Sequence, residues 1–95
     1  MTRQYLAGEL SVLLGQLQAI DRKEGSVRGI ARLRYEAETC PSGALSSVAV
    51  RALLLSDELC WESLTSGDAV AFSREAAISA ELLEFGVCAG LLGED

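Results

Sequence analysis

Two segments in the latter half of this 95-residue chain carry apolar residues at helical spacing on more than one face. In 44–64, Leu45, Val48, Ala52, Leu55 and Leu59 recur three and four apart, one stripe of a helix. Val50, Leu54 and Trp61 fall on the other side of that helix. From 68 onward Phe72, Ala76, Leu83 and Val87 make one seam, and Ile78, Leu82, Phe85, Ala89 and Leu92 make a second. A helix in a small monomeric bundle needs one buried stripe and leaves its other face in water. Two doubly apolar helices in so short a chain predict a surplus of apolar surface and a second polypeptide to cover it.

Chain length sharpens that expectation. A domain of this size buries about 60–65% of its unfolded surface, so its stability margin is thin unless it oligomerises. The composition is 49% hydrophobic but only 5% aromatic. Its apolar mass is Leu, Ala and Val, which suits close-packed helices better than a sandwich of sheets. The single proline, Pro41, leaves most of the chain without its strongest helix breaker.

The expected fold is all-α: one domain over 1–95, a small antiparallel four-helix bundle with helices over 3–20, 22–39, 44–64 and 68–91, completed by dimerisation. In the first helix Leu6, Leu10, Leu13, Leu14, Leu17 and Ile20 share a third of the circumference. Its far side carries Gly8, Ser11, Gly15, Gln18 and Ala19, either a solvated face, the favoured reading, or a surface for close helix approach. Asp21 to Glu24 reads as a capping box. The second helix then places Val27, Ile30, Leu33, Ala37 and Cys40 on its core stripe. The stripes of the first two helices differ by roughly 150° in projection, so one continuous helix would switch its buried face near residue 22. A break at 21–26 removes that conflict. Pro41-Ser42-Gly43 ends the second helix, and Gly67 followed by Asp68 supplies a C-terminal stop and a new N-cap. Gly86 and Gly90 each cost about 1 kcal/mol relative to alanine in a helix interior, which points to a close crossing near that turn.

Charge is distributed unevenly. Residues 57–95 hold nine acids against one base, Arg74, whereas Arg22, Lys23, Arg28, Arg32 and Arg34 cluster within thirteen residues. The acidic half repels phosphate, which argues against nucleic acid and anionic membranes as partners. No run of about eighteen apolar residues exists, and the N-terminal segment does not read as a signal peptide, so a cytoplasmic location is expected.

Histidine, the commonest general base, is absent. No serine sits in a nucleophile-elbow sequence and no glycine-rich phosphate loop is present. Glu58 and Glu62 share a helix face but lack the Glu-x-x-His partner of carboxylate metal sites. Cys40, Cys60 and Cys88 are an odd, widely spaced set, read as core thiols, with Cys40 the best candidate for a redox role. No enzyme, cofactor or metal is expected.

Trp61 stands out, because tryptophan removes a large apolar area from water while its N–H reaches a polar rim. The expected function is a non-enzymatic interaction module, an adaptor, regulator or specific chaperone. It would self-associate as a homodimer through its two C-terminal helices and present a helical surface to a protein partner. Val50, Leu54, Trp61, Ile78, Leu82, Phe85 and Leu92 are the expected interface. The alternative is a ligand-binding or sensor domain, using Arg28, Arg32 and Arg34 for an anion or one thiol for redox chemistry.

Overall fold

A computed structural model describes residues 3–20 and 24–91. Four helices follow in chain order: α1 (Arg3–Ile20), α2 (Glu24–Thr39), α3 (Leu45–Ser66) and α4 (Ala69–Cys88), with a 3-10 turn at Ser42–Ala44. Among the described residues there is no strand. The all-α bundle is therefore the observed architecture. Asp21, Arg22, Lys23 and Leu92 lie outside the described residues, as do the side chains of Glu24 and Val27, and with them the expected capping box.

Adjacent helices run antiparallel. The Ser11 hydroxyl donates to Glu38 Oε2 at 3.0 Å, and Arg34 Nη1 donates to Gln18 Oε1 at 3.0 Å. In one continuous helix residues 11 and 38 would stand about 40 Å apart, so the chain reverses between α1 and α2. Between α3 and α4, the Ser63 hydroxyl donates to Glu75 and the Ser79 hydroxyl to Asp57, while Ser46 near the start of α3 donates to the Leu91 carbonyl. Each step up α3 is thus a step down α4. The two hairpins close into a ring in which α1 touches α2 and α4, and α3 touches α4 and α2.

The helix ends follow from local chemistry. α3 stops at Gly67, whose φ of +81° is open to glycine and strained for other residues. The Asp68 N–H reaches back to the Ser63 carbonyl and the Gly67 N–H to Leu64, a paired closure that satisfies two otherwise orphaned carbonyls. Asp68 then opens α4, its carboxylate accepting the Ala71 N–H at 3.1 Å. α4 is shorter than the sequence suggested. It passes through Gly86 and ends at Cys88, because Gly90 turns left-handed at φ +72° and directs the Leu91 N–H back to the Gly86 carbonyl. Gly86 is buried on the core side, whereas Gly90 is a terminator and not part of a helix crossing.

The core consists of Ala7, Leu10, Leu13, Leu14 and Leu17 of α1, Ile30, Leu33 and Ala37 of α2, Leu45, Val48, Ala49, Ala52 and Leu59 of α3, and Ile78 and Leu82 of α4. Phe85 and Leu55 pack against its edge. Ser56 and Ser63 are also buried, so the inner face of α3 is largely small and admits α4 closely.

Two expectations need correction. The stripe of α4 that faces the core is Ile78–Leu82–Phe85, assigned from sequence to a partner; Ile78 and Leu82 are enclosed by this chain itself. Both α4 stripes are apolar, and the inward one is chosen by its fit against α3. The far side of α1 is also not simply solvated. Ser11 is buried, and the Arg34 guanidinium lies across Gly15, where a Cβ would stand 3.4 Å from Arg34 Cζ. Glycine at that turn leaves room for an arginine from α2. Gly8 and Ala19 on the same side are exposed, as expected.

Candidate interaction surface

With one face of α3 committed to the core, the residues opposite it stand outside. Val50, Leu54, Trp61 and Leu64 lie at spacings of four, seven and three, so they form one stripe of roughly four turns. All four are exposed; Leu54 retains 59% and Trp61 65% of its surface. The sequence placed the first three on this side and omitted Leu64, although its position three residues after Trp61 was a usable signal.

α4 supplies a second row. The Ser63–Glu75 and Asp57–Ser79 bonds fix the antiparallel register, which sets Leu54 across from Leu83 and Val50 across from Val87. Leu83 and Val87 are 49% and 63% exposed. Both belong to the seam that sequence periodicity found on α4 but left out of the expected interface. Phe72, of the same seam, is half-buried near the hairpin turn, where it lines a small hollow with Leu64 and Gly67. The exposed large apolar residues of the hairpin are thus Val50, Leu54, Trp61 and Leu64 on α3 and Leu83, Val87 and Val70 on α4, with Val70 off the Leu83–Val87 row.

The chemistry changes along this surface. At the Val50–Val87 end the facing side chains are aliphatic. Toward the turn, Leu54 and Trp61 form the floor of a shallow groove, open to solvent, whose other lining residues, Asp57, Glu58 and Glu62, also belong to α3. Asp57 accepts a hydrogen bond from the Ser79 hydroxyl at 2.7 Å, tying the groove to α4. An apolar floor beside carboxylates is suited to binding another surface.

The arginines do not converge. Arg34 turns onto α1, where Gln18 and Ser11 accept from it at 3.0 and 3.5 Å. Arg32 pairs with Glu36 at 3.3 Å, and Glu36 also takes Arg51 of α3 at 2.6 Å. Arg28 is exposed one turn before Arg32. These partners divide the expected anion site: Arg34 serves the α1–α2 seam, and Arg32 joins a surface ion-pair chain that reaches α3. The hydrogen bond from Arg51, more than any other influence, holds the Glu36 carboxyl below its ordinary value.

The thiols are also dispersed. None of the three is in a disulfide; Cys40 and Cys60 are half-buried and Cys88 is exposed. Cys40, the sequence candidate for redox chemistry, packs against the core edge. Burial raises the Cys60 thiol above its ordinary value, with the negative charges of Glu75 and Asp57 adding to the effect. A raised thiol is less nucleophilic at neutral pH.

Among the described residues no group of histidine, cysteine or carboxylate side chains could hold a metal ion, and no helix is long and apolar enough to cross a membrane. Sequence reading missed the buried polar residues Ser56, Ser63 and Glu75. Glu75 sits three residues before Ile78, in line with the stripe that α4 turns inward. No protein-family model, no curated protein and no solved structure matches this chain.

Proposed function

We propose that this chain is a non-enzymatic protein-interaction module, and that it self-associates through the exposed face of its α3–α4 hairpin while presenting a helical surface to a protein partner. One observation carries the reading. Val50 and Leu54 stand outside the fold across from Val87 and Leu83, so two helices expose apolar rows side by side. Scattered apolar residues are ordinary on a monomer, but contiguous ones mark contact surfaces. Ile78 and Leu82 have no place in this contact, because they are inside the subunit.

The aliphatic end of the face is the self-docking patch. It can meet its own copy about a twofold axis, since an isologous contact needs a surface that tolerates itself. Sedimentation at micromolar concentration tests the reading. A dimer is expected for the parent chain, and Leu83→Glu or Val87→Glu is expected to yield monomer with unchanged helical circular dichroism. A parent chain that stays monomeric across that range overturns self-association.

A further inference from the structure

We infer that the groove at Leu54 and Trp61 takes a cationic amphipathic helix from another protein, with apolar side chains on Leu54 and Trp61 and lysine or arginine against Glu58 and Glu62. The inference rests on the interaction-module reading and names the class of partner for one end of that face.

The groove is selective in its chemistry. Its floor is one leucine and the only tryptophan of the chain, and its rim is acidic. Leu54 and Trp61 are seven residues apart on α3, about 10 Å along the axis. Apolar side chains one heptad apart on a docked helix match that separation when two helices pack side by side. A cation placed over the indole face gains a cation–π contact, and the neighbouring carboxylates add charge-assisted hydrogen bonds.

Charge decides between occupants. Residues 57–95 hold nine acids and one base, so the groove lies in a negative field that draws a cationic segment and speeds its encounter. A second copy docked groove to groove would set Glu58 and Glu62 against their own copies, a like-charge contact that disfavours it. Nucleic acid and anionic lipid meet the same repulsion.

Trp61 also reports on the site, because it is the sole tryptophan and is 65% exposed. The probe is a synthetic helical peptide of leucine and lysine, with leucines on one face. One control replaces each lysine by glutamate, and another keeps the lysines and replaces the leucines by serine. The expected result is a saturable blue shift of Trp61 emission with the leucine–lysine peptide. Both controls bind at least about tenfold more weakly, and so does the leucine–lysine peptide to the Glu58→Gln/Glu62→Gln variant. Leu83→Glu separates this claim from self-association: peptide binding persists in that variant when the dimer is lost. Equal affinity for the lysine and glutamate peptides, or for the parent and double-Gln chains, overturns the cationic partner and leaves the docking role intact. If no peptide moves the emission, the groove binds no helix and the inference falls. A blue shift that grows with protein concentration alone in Leu83→Glu, where the aliphatic contact is lost, gives the groove to a second copy and also overturns it.

Discussion

The Ser63 hydroxyl donates to Glu75 Oε1 at 2.5 Å inside the α3–α4 seam, and both residues are buried, Glu75 to 4% of its surface. This bond satisfies a carboxyl group that would otherwise be costly in a low-dielectric contact. It also helps to fix which turn of α3 meets which turn of α4. Ser63→Ala is expected to lower unfolding free energy by about 1–3 kcal/mol, the usual loss when one partner of a buried polar pair is removed. Adding Glu75→Met, which removes the stranded carboxyl and fills its volume, is expected to recover most of that loss. Urea denaturation of the single and double variants measures both steps. A double variant less stable than Ser63→Ala would show that the carboxyl has another partner of consequence.

The two stripes of α4 predict opposite mutational outcomes. Leu82 is enclosed, so Leu82→Ala is expected to cost about 2–5 kcal/mol. Leu82→Glu should unfold the subunit outright, before any effect on association can be read. Leu83, its immediate neighbour, is exposed, and Leu83→Ala is expected to change subunit stability by about 0.5 kcal/mol or less. Thermal melts of the two alanine variants, at a concentration where both are monomeric, check the assignment directly.

Glu36 joins α2 to α3 through Arg51, and its carboxyl is held below the ordinary value of 4.5, chiefly by the Arg51 hydrogen bond. A group depressed in the folded state stabilises above its unfolded value and loses that contribution as pH falls through the folded one. The difference in melting temperature between the parent and Glu36→Gln is therefore expected to be constant above pH 4.5 and to close below it. Added salt should shrink it at every pH, since the pair is at the surface. A difference that widens on acidification would contradict the assignment.

Thiol reactivity should rank by exposure and charge. Cys88 is exposed beyond the last turn of the core, whereas Cys60 is half-buried and its thiol is raised by burial and by Glu75 and Asp57. Under native conditions Cys88 is expected to react first with a soluble thiol reagent and Cys60 last, with Cys60 accelerating as pH rises. Mass spectrometry of partly labelled protein gives the order. Labelling of Cys60 as fast as Cys88 would mean that the α3–α4 seam opens readily.

Much of the fold was legible because turn chemistry is local. Pro41, Gly67 and Asp68 mark their boundaries without reference to anything distant, and α1 shows a single leucine stripe that can only face inward. The orientation of α4 was not legible, because Ile78–Leu82–Phe85 and Phe72–Ala76–Leu83–Val87 are both apolar stripes at helical spacing. Their fates are separated by α3, whose small inner residues Ala49, Ala52, Ser56 and Ser63 admit one α4 stripe closely. Polar residues hid that pairing. Serine and glutamate in a stripe read as interruptions of a core, yet Ser63 and Glu75 satisfy each other there. The exposed row on α3 was visible for the simpler reason that Leu45, Val48, Ala52 and Leu59 already claimed the opposite side. The arginines misled because nearness in sequence does not fix direction: Arg34 reaches Gln18 on α1, whereas Arg32, two residues away, bonds Glu36 along its own helix.

Asp68 completes the closure of α3 with its N–H and begins α4 with its carboxylate, so the reversal between these two helices contains no slack residue. A ligand that lands there meets a platform cast in advance. Little conformational freedom is forfeited on contact, and a modest footprint can then hold its visitor as firmly as a larger, softer one.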